Sequence, residues 1–406
     1  MRGQQSFRYV LLSLHIPALA LGLGQGIITP VLPGFAESFG VGAGLAAMVF
    51  AVQLAGGLVA AVPVGYASDR FGRRGFLVAG PVIMAVSLFL TAFATGGSFG
   101  VLLAYRFVAG VGQQMWMVSR ISAIADSGGG SRGRQITSMF GMQRVGNLAG
   151  PLIGGFTATV WGASVAFAMH GAVSLIAAAS ILAVIRETAP DLPAKTSASR
   201  GNAPFSWRLL LKQPLPTLFA LQYLSMITRG GAIGGGTVFV FAVYAYGTSE
   251  ATLGVMSSIA ALLGLPLILL AGQIMDRYGR KVSIIPGLLV FSLSMGFMAL
   301  IAAFDWPFAA YVAAFMWMQI VGAGLSGSMQ TLCSDLAPAH ARGTFFGVST
   351  MVQQAGFTSN PLSFSLLTAV SGFTAAFAFL LGTGIAAASV LGFMIKETLQ
   401  KPEDDG

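Results

Sequence analysis

Four arginines stand where arginine is costly. Arg106, Arg120, Arg144 and Arg229 each lie inside a long apolar stretch of the 406-residue chain. A guanidinium keeps its proton at any physiological pH, so burying it unpaired is expensive, and such residues are functional candidates by default. Seven residues make nearly two helical turns, so Arg106, Gln113, Met117 and Arg120 fall on one face of a helix. Arg229 precedes Gly230-Gly231 and Gly234-Gly235-Gly236, where a helix can bend or break. Two readings stand. Either the arginines line a positively charged cavity for an anionic or carboxylate-bearing ligand, or they bond helix carbonyls, with Arg120 reaching an aqueous surface near Asp126.

None of the 13 carboxylates lies well inside an apolar stretch. Asp126 and Asp335 close such stretches, and Glu37, Glu250 and Asp305 fall between them. Histidine is then the side chain able to change charge there near neutral pH. His15 and His170 are so placed, although a lone histidine between helices is commonly structural. Polar, sulfur and aromatic side chains on the same stretches are candidate walls of a ligand cavity: Gln25, Gln53, Gln113, Met117, Gln143, Gln222, Met226, Trp317, Gln330, Gln353 and Asn360. The single cysteine, Cys333, excludes an internal disulfide and a cysteine metal cluster. Three widely spaced histidines offer no metal-ligand spacing. No Ser/His/Asp cluster or phosphate loop appears, so an enzyme or receptor ranks low and no cofactor is implied. The chemistry on offer is binding and the movement of charge.

Such residues need apolar elements to hold them. The chain is 55% hydrophobic and only 9% charged, against about 25% charged in a soluble protein. It cannot cover a water-facing surface, so an integral membrane protein is expected. A helix needs about 20 apolar residues to span a bilayer. Twelve runs qualify: 9–32, 44–67, 76–95, 99–125, 135–158, 163–185, 214–246, 252–275, 282–303, 307–334, 344–369 and 373–395. The first follows a basic start but is too long for a secretory signal and lacks a clear cleavage site.

With the N-terminus inside, 18 of the 22 Lys and Arg residues fall in inner segments. The other four are the buried-run arginines, and the outer loops have none. This obeys the positive-inside rule and places both termini in the cytoplasm. It also explains the formal charge of +9 without a nucleic-acid partner. The polar stretch from Glu187 to Lys212 reads as a cytoplasmic linker between an N-terminal half, 1–186, and a C-terminal half, 213–406. The halves repeat. Asp69 and Asp276 are 207 residues apart, Asp126 and Asp335 are 209 apart, and Pro151 and Pro361 are 210 apart. Arg186-Glu187-Thr188 returns, also 210 residues on, as Lys396-Glu397-Thr398.

The clearest repeat is a charged turn. Gly65-Tyr66-Ala67-Ser68-Asp69-Arg70-Phe71-Gly72-Arg73-Arg74 links two apolar runs, and Gly272-Gln273-Ile274-Met275-Asp276-Arg277-Tyr278-Gly279-Arg280-Lys281 copies it. This duplicated G-x-x-x-D-R-x-G-R-[RK] resembles the loop signature of the major facilitator superfamily, over nearly the whole chain. The resemblance implies an all-α membrane fold of twelve helices in two pseudo-symmetric halves, a functional monomer, and a small-molecule substrate bound near the midplane. It also implies a conformational latch of Gly65, Asp69, Arg70, Gly72, Arg73 and Asp126, with Gly272, Asp276, Arg277 and Arg280 as a weaker twin. There Asp69 would cap a helix end and pair with Arg73, while Gly65 and Gly72 permit close approach.

Within that family the chain resembles the drug:proton antiporter branch. Gly146, Gly150, Pro151, Gly154 and Gly155 match its antiporter motif, which makes a thin, bent helix able to slide on a neighbour. Gly22, Gly24, Pro30, Leu32, Pro33 and Glu37 of the first run, and Arg106 with Gly110 and Gly112 of the fourth, also look like that branch, where the arginine is placed in proton transfer. The departure is the missing intramembrane carboxylate: the first run offers Gln25 and the fourth offers Gln113 and Gln114. The resemblance therefore implies proton-coupled export of a small amphipathic compound from a bacterial inner membrane, with lipid around it. The arginines, above all Arg144 and Arg229, leave an organic-anion transporter as the alternative.

Overall fold

The computed structural model describes residues 11–94, 97–126, 132–184, 213–232, 236–337 and 342–397, apart from the side chains of residues 69, 122–126, 132–137, 326–327 and 342–344. The described residues form helices joined by short turns and loops, with no strand among them. Hydrocarbon offers backbone groups no hydrogen bonds, so a spanning segment must bond them internally.

A π-turn at Leu11–His15 leads into α1 (Ile16–Ile28), followed by the short α2 (Leu32–Glu37). Then come α3 (Ala43–Phe71), α4 (Arg73–Ala92), α5 (Phe99–Asp126), α6 (Arg132–Trp161) and α7 (Ala163–Val184). The later chain forms α8 (Leu215–Arg229), α9 (Gly236–Tyr246), α10 (Glu250–Tyr278), α11 (Arg280–Ala303), α12 (Phe308–Leu336) and α13 (Arg342–Met394). The last turns at Gly372, whose φ of 78° and ψ of 177° are not helical, so it forms two arms. Over the described residues each of the twelve expected runs falls on helix, the seventh on two separate helices.

Among the described residues, eight helices are long and apolar enough by themselves to cross a membrane. The exceptions carry the costly chemistry. α5 and α6 are 28 and 30 residues long, and hold Arg106, Arg120 and Arg144 together with glutamines. The run expected as one helix over 214–246 is two, of 15 and 11 residues, interrupted after Arg229 at the glycine cluster. Several glycines in succession stabilise a helix too little to carry it through.

By contacts the chain divides into two compact units. One comprises Met1–Thr196 with Gly234–Ser258, and the other Ser197–Ile233 with Ile259–Gly406. In the first, α1 lies on α6 and α7, and α4 lies on α5 and α7. In the second, α8 lies on α13, and α11 lies on α12 and α13. The first run thus pairs with the fifth, the third with the fourth and sixth. The seventh pairs with the eleventh, the ninth with the tenth and twelfth. That is the same wiring at the offset seen in the sequence. The expected linker, 187–212, lies outside the described residues.

Candidate functional site

In the first unit the site grows from α5. Arg106 is 1% exposed and its Nη2 donates to the side-chain oxygen of Gln53 on α3. Gln53 in turn donates through Nε2 to Oε1 of Gln113, at 2.9 Å. One glutamine of α3 thus joins two residues that are two turns apart on α5. Nε and Nη1 of Arg106 find no partner among the described residues. Arg120 is equally buried and does not reach a surface, contrary to one sequence reading. Its guanidinium lies 3.6 Å over the Trp116 ring, and Nη2 donates to Met117 Sδ at 3.2 Å. A flat, weakly hydrated cation suits an aromatic face.

α7 carries His170 in the same unit and packs it against α1. Its ring is 1% exposed and both nitrogens lack a partner among the described residues. The space for it comes from Gly24 on α1: a Cβ there would overlap the ring, 2.5 Å from Nε2. His15 is differently placed, half-buried and 3.0 Å from the Ser138 hydroxyl. Gln25 is half-buried, with Oε1 unpartnered among the described residues. Arg144 is exposed on α6 and so does not belong to the interior of its own unit.

The antiporter-like motif sits between two neighbours. On one side a Cβ on Gly146, Gly150 or Gly154 would meet the backbone of α1 at Leu19, Leu23 and Ile27 respectively. For Gly150 the distances would be 2.5 Å to the Leu23 carbonyl oxygen and 2.7 Å to Gly26 Cα. On the other side Gly155 and Pro151 face the start of α10. A Cβ on Gly155 would overlap the Glu250 carbonyl, and one on Gly254 would overlap the Pro151 carbonyl. Ser258 completes this face, its hydroxyl donating to Leu148 O at 2.8 Å. Backbone therefore lies on backbone along both seams.

In the second unit the polar residues form a chain. Gln222 on α8 is fully buried, donates to Cys333 Sγ and accepts from the Ser349 hydroxyl at 3.0 Å. Gln353 donates to that hydroxyl at 3.1 Å. Asn360, also on α13, donates to the Ile227 carbonyl, binding the helix that carries Met226 and Arg229. Arg229 is 2% exposed, and its Nε has no partner among the described residues. Met226 is half-buried, while Trp317 is 59% exposed and stands apart from the Gln222 chain.

The two charged turns share a backbone form. Gly72 has φ 92° and ψ 151°, and Gly279 has φ 108° and ψ 163°. Left-handed φ is why glycine stands at both positions. In the second turn Arg280 donates to Asp335 Oδ2 at 3.0 Å, to Asp276 Oδ1 at 3.1 Å and to Met275 O at 2.9 Å. Glu397 accepts from the backbone N–H groups of Arg280 and Lys281, at 2.9 Å each. It supplies an anion to the otherwise unsatisfied first turn of α11. Arg277 instead stacks on Tyr278, its guanidinium 5.4 Å from the ring centroid, as Arg70 does on Phe71 at 5.5 Å.

One expectation changes in detail. Asp69 lies in the last turn of α3, which runs on to Phe71. Gly65 does not give close approach, since a Cβ there would reach only Val118 at 4.0 Å. A Cβ on Gly272 would meet nothing within 4 Å. The carboxylates of Asp69 and Asp126 lie outside the described side chains. Sequence reasoning passed over Glu397 as a ligand of a helix start, and over Ser349 and Cys333 beside Gln222. Glu397 alone carried a signal, as part of the repeated Arg/Lys-Glu-Thr.

Comparison with known proteins agrees with this architecture. A profile described as Major Facilitator Superfamily matches residues 15–361. An uncharacterized MFS-type transporter of Methanocaldococcus jannaschii is 24% identical over 357 residues, 86% of this chain and 89% of that one. The quinolone resistance protein NorA of Staphylococcus aureus is 30% identical over 149 residues, covering 36% of this chain and 38% of NorA. Among solved structures, a D-xylose-proton symporter superposes with a TM-score of 0.78 at 18% identity, over 97% of this chain and 98% of that one. The nucleoside transporter NupG (D323A mutant) gives 0.73 at 13% identity, over 96% and 100%.

Proposed function

The chain belongs to the Major Facilitator Superfamily and is a multi-pass membrane transporter; we propose that it exports a small amphipathic compound in exchange for protons, by alternating access. The observation that carries this reading is the double seam of the antiporter-like motif. Gly146, Gly150 and Gly154 against α1, and Pro151 and Gly155 against α10, are contacts without side chains between them. Helices so joined can shift along one another without repacking a core. The partial likeness to NorA, a quinolone resistance protein, supports the branch.

On this reading 1–186 and 213–406 are the moving halves, and the linker 187–212 and both termini face the cytoplasm of a bacterial inner membrane. Asp69, Arg70, Gly72, Arg73 and Asp126 form the gate latch, with Asp276, Arg277 and Arg280 as its counterpart. The protein acts as a monomer in lipid. A second reading has its own support. Arg106, Arg120 and Arg229 are buried, and no carboxylate lies in mid-span beside them. An organic anion would compensate such charges.

Proteoliposomes with an imposed pH gradient and an internal pH dye decide between the two. Ethidium, norfloxacin and benzoate are added in turn. Proton flux released by ethidium or norfloxacin is expected. Flux with benzoate alone makes the anion reading the right one. Substrate movement without proton flux sinks proton exchange altogether.

A further inference from the structure

If the exporter is proton-coupled, one group must take up a proton on one side of the membrane and give it up on the other. Arginine does not do so, because its proton stays bound. The 13 carboxylates all lie outside the middle of the spans. Two histidines lie within the spans, and they differ in what holds them. His15 already shares a hydrogen bond with Ser138 and is half-buried. His170 is buried, and neither ring nitrogen has a partner among the described residues.

We infer that His170, seated in the recess left by Gly24, is the proton-carrying side chain of this transporter. The inference rests on the proton-exchange reading above. The imidazole takes a proton from water on one side and becomes imidazolium, then returns it to water on the other side. No other atom is gained or lost. The helices around α7 are α1, α4, α6 and the turn at Leu11–His15. α1 has no titratable residue, α4 has only Arg73 and Arg74 in its first turn, and α6 has Arg132, Arg134 and Arg144. The turn adds His15. The charge that acts on the His170 ring is that of Arg106, from α5.

That neighbour supplies the coupling. A second positive charge beside Arg106 in a dry interior is unfavourable. The protonated ring and the closed arrangement around Gly24 therefore exclude one another. Gain of the proton favours a conformation in which water reaches the site, and loss of it permits closure. This is how a bound proton biases a two-state element.

The test uses the full chain in proteoliposomes, with norfloxacin and ethidium as probes. For one proton per substrate, a difference of about one pH unit sustains about tenfold accumulation. In His170→Gln that accumulation is expected to fall to the level without a gradient. Exchange of labelled probe across the membrane at equal pH is expected to continue, which a merely structural role for His170 would not allow. Accumulation retained in His170→Gln, or lost in His15→Gln but not in His170→Gln, overturns the assignment while leaving proton exchange standing. A wild-type protein that moves neither probe against the gradient overturns both. If His170→Gln and His170→Asn do not exchange at all, histidine-labelled wild-type protein in bilayers decides by NMR. The His170 ring, assigned by difference from His15→Gln and His340→Gln, should change protonation when norfloxacin is added. A ring that does not respond overturns the inference.

Discussion

Nε of Arg280 lies 3.0 Å from Oδ2 of Asp335, which brings together two residues on different helices that the repeat had marked separately. The same guanidinium holds Asp276 in its own turn, and the N–H groups above it are held by Glu397. One arginine and three carboxylates therefore fasten the start of α11 to the ends of α10, α12 and α13. Glu397→Gln keeps the shape and removes the charge from the helix start. It should cost about 1 kcal/mol, seen as a lower midpoint in thermal unfolding of the detergent-solubilised protein. An unchanged midpoint would show that the helix start does not need the anion.

The glycine seams predict a sharp contrast. Gly154→Ala puts a methyl group into the Ile27 carbonyl, where backbone on both sides prevents yielding. Overpacking of this kind costs about 1–3 kcal/mol, and transport should fall well below wild type at equal expression. Gly272→Ala meets nothing within 4 Å and should transport normally. Equal activity of the two variants would remove the seam from the mechanism.

Gln53 predicts a dependence of one residue on another. Gln53→Ala takes away the hydrogen-bond acceptor of a buried guanidinium, at a cost of about 1–3 kcal/mol. Measured against Arg106→Ala in a double-mutant cycle, the two losses should overlap rather than add. Arg106→Lys should not restore activity, because an ammonium lacks the planar fork. Additive losses would show that the pair works separately.

Much of this was legible in the chain before any coordinates. The apolar runs fall on helices, with a break in the seventh, because a period of charge and a length near the bilayer thickness are properties of sequence alone. The Asp276–Arg280–Asp335 cluster was half legible, because the repeat marked each member while only the fold brings them within 3.1 Å. What stayed hidden was partnership across helices. Nothing in the residue types ties Gly24 to His170, or Gln53 to Arg106, since those contacts depend on the rotation of neighbouring helices. The break after Arg229 was announced by its glycines, but the grouping of 234–258 with the first unit was not.

Arg120 offers an optical prediction. Its guanidinium covers the Trp116 ring at 3.6 Å, a cation–π contact worth about 2 kcal/mol when desolvated. Arg120→Ala should change the emission of the protein, and the change should vanish in a Trp116→Phe background. A spectrum indifferent to Arg120 would place the ring elsewhere.

The seam between α1 and α6 also bears on how a mutational screen of this transporter should be read. Positions such as Gly26, Gly146 and Gly150 are filled by the backbone of a neighbour, so almost any replacement there will abolish transport. In a survey scored by resistance or uptake they will look like ligand-contacting hot spots. They need touch no cargo to do so, because a neighbour's backbone already fills the space. Assigning a binding pocket from inactive variants alone would trace the line where two helices meet, and only variants that alter selectivity among transported compounds will outline the pocket itself.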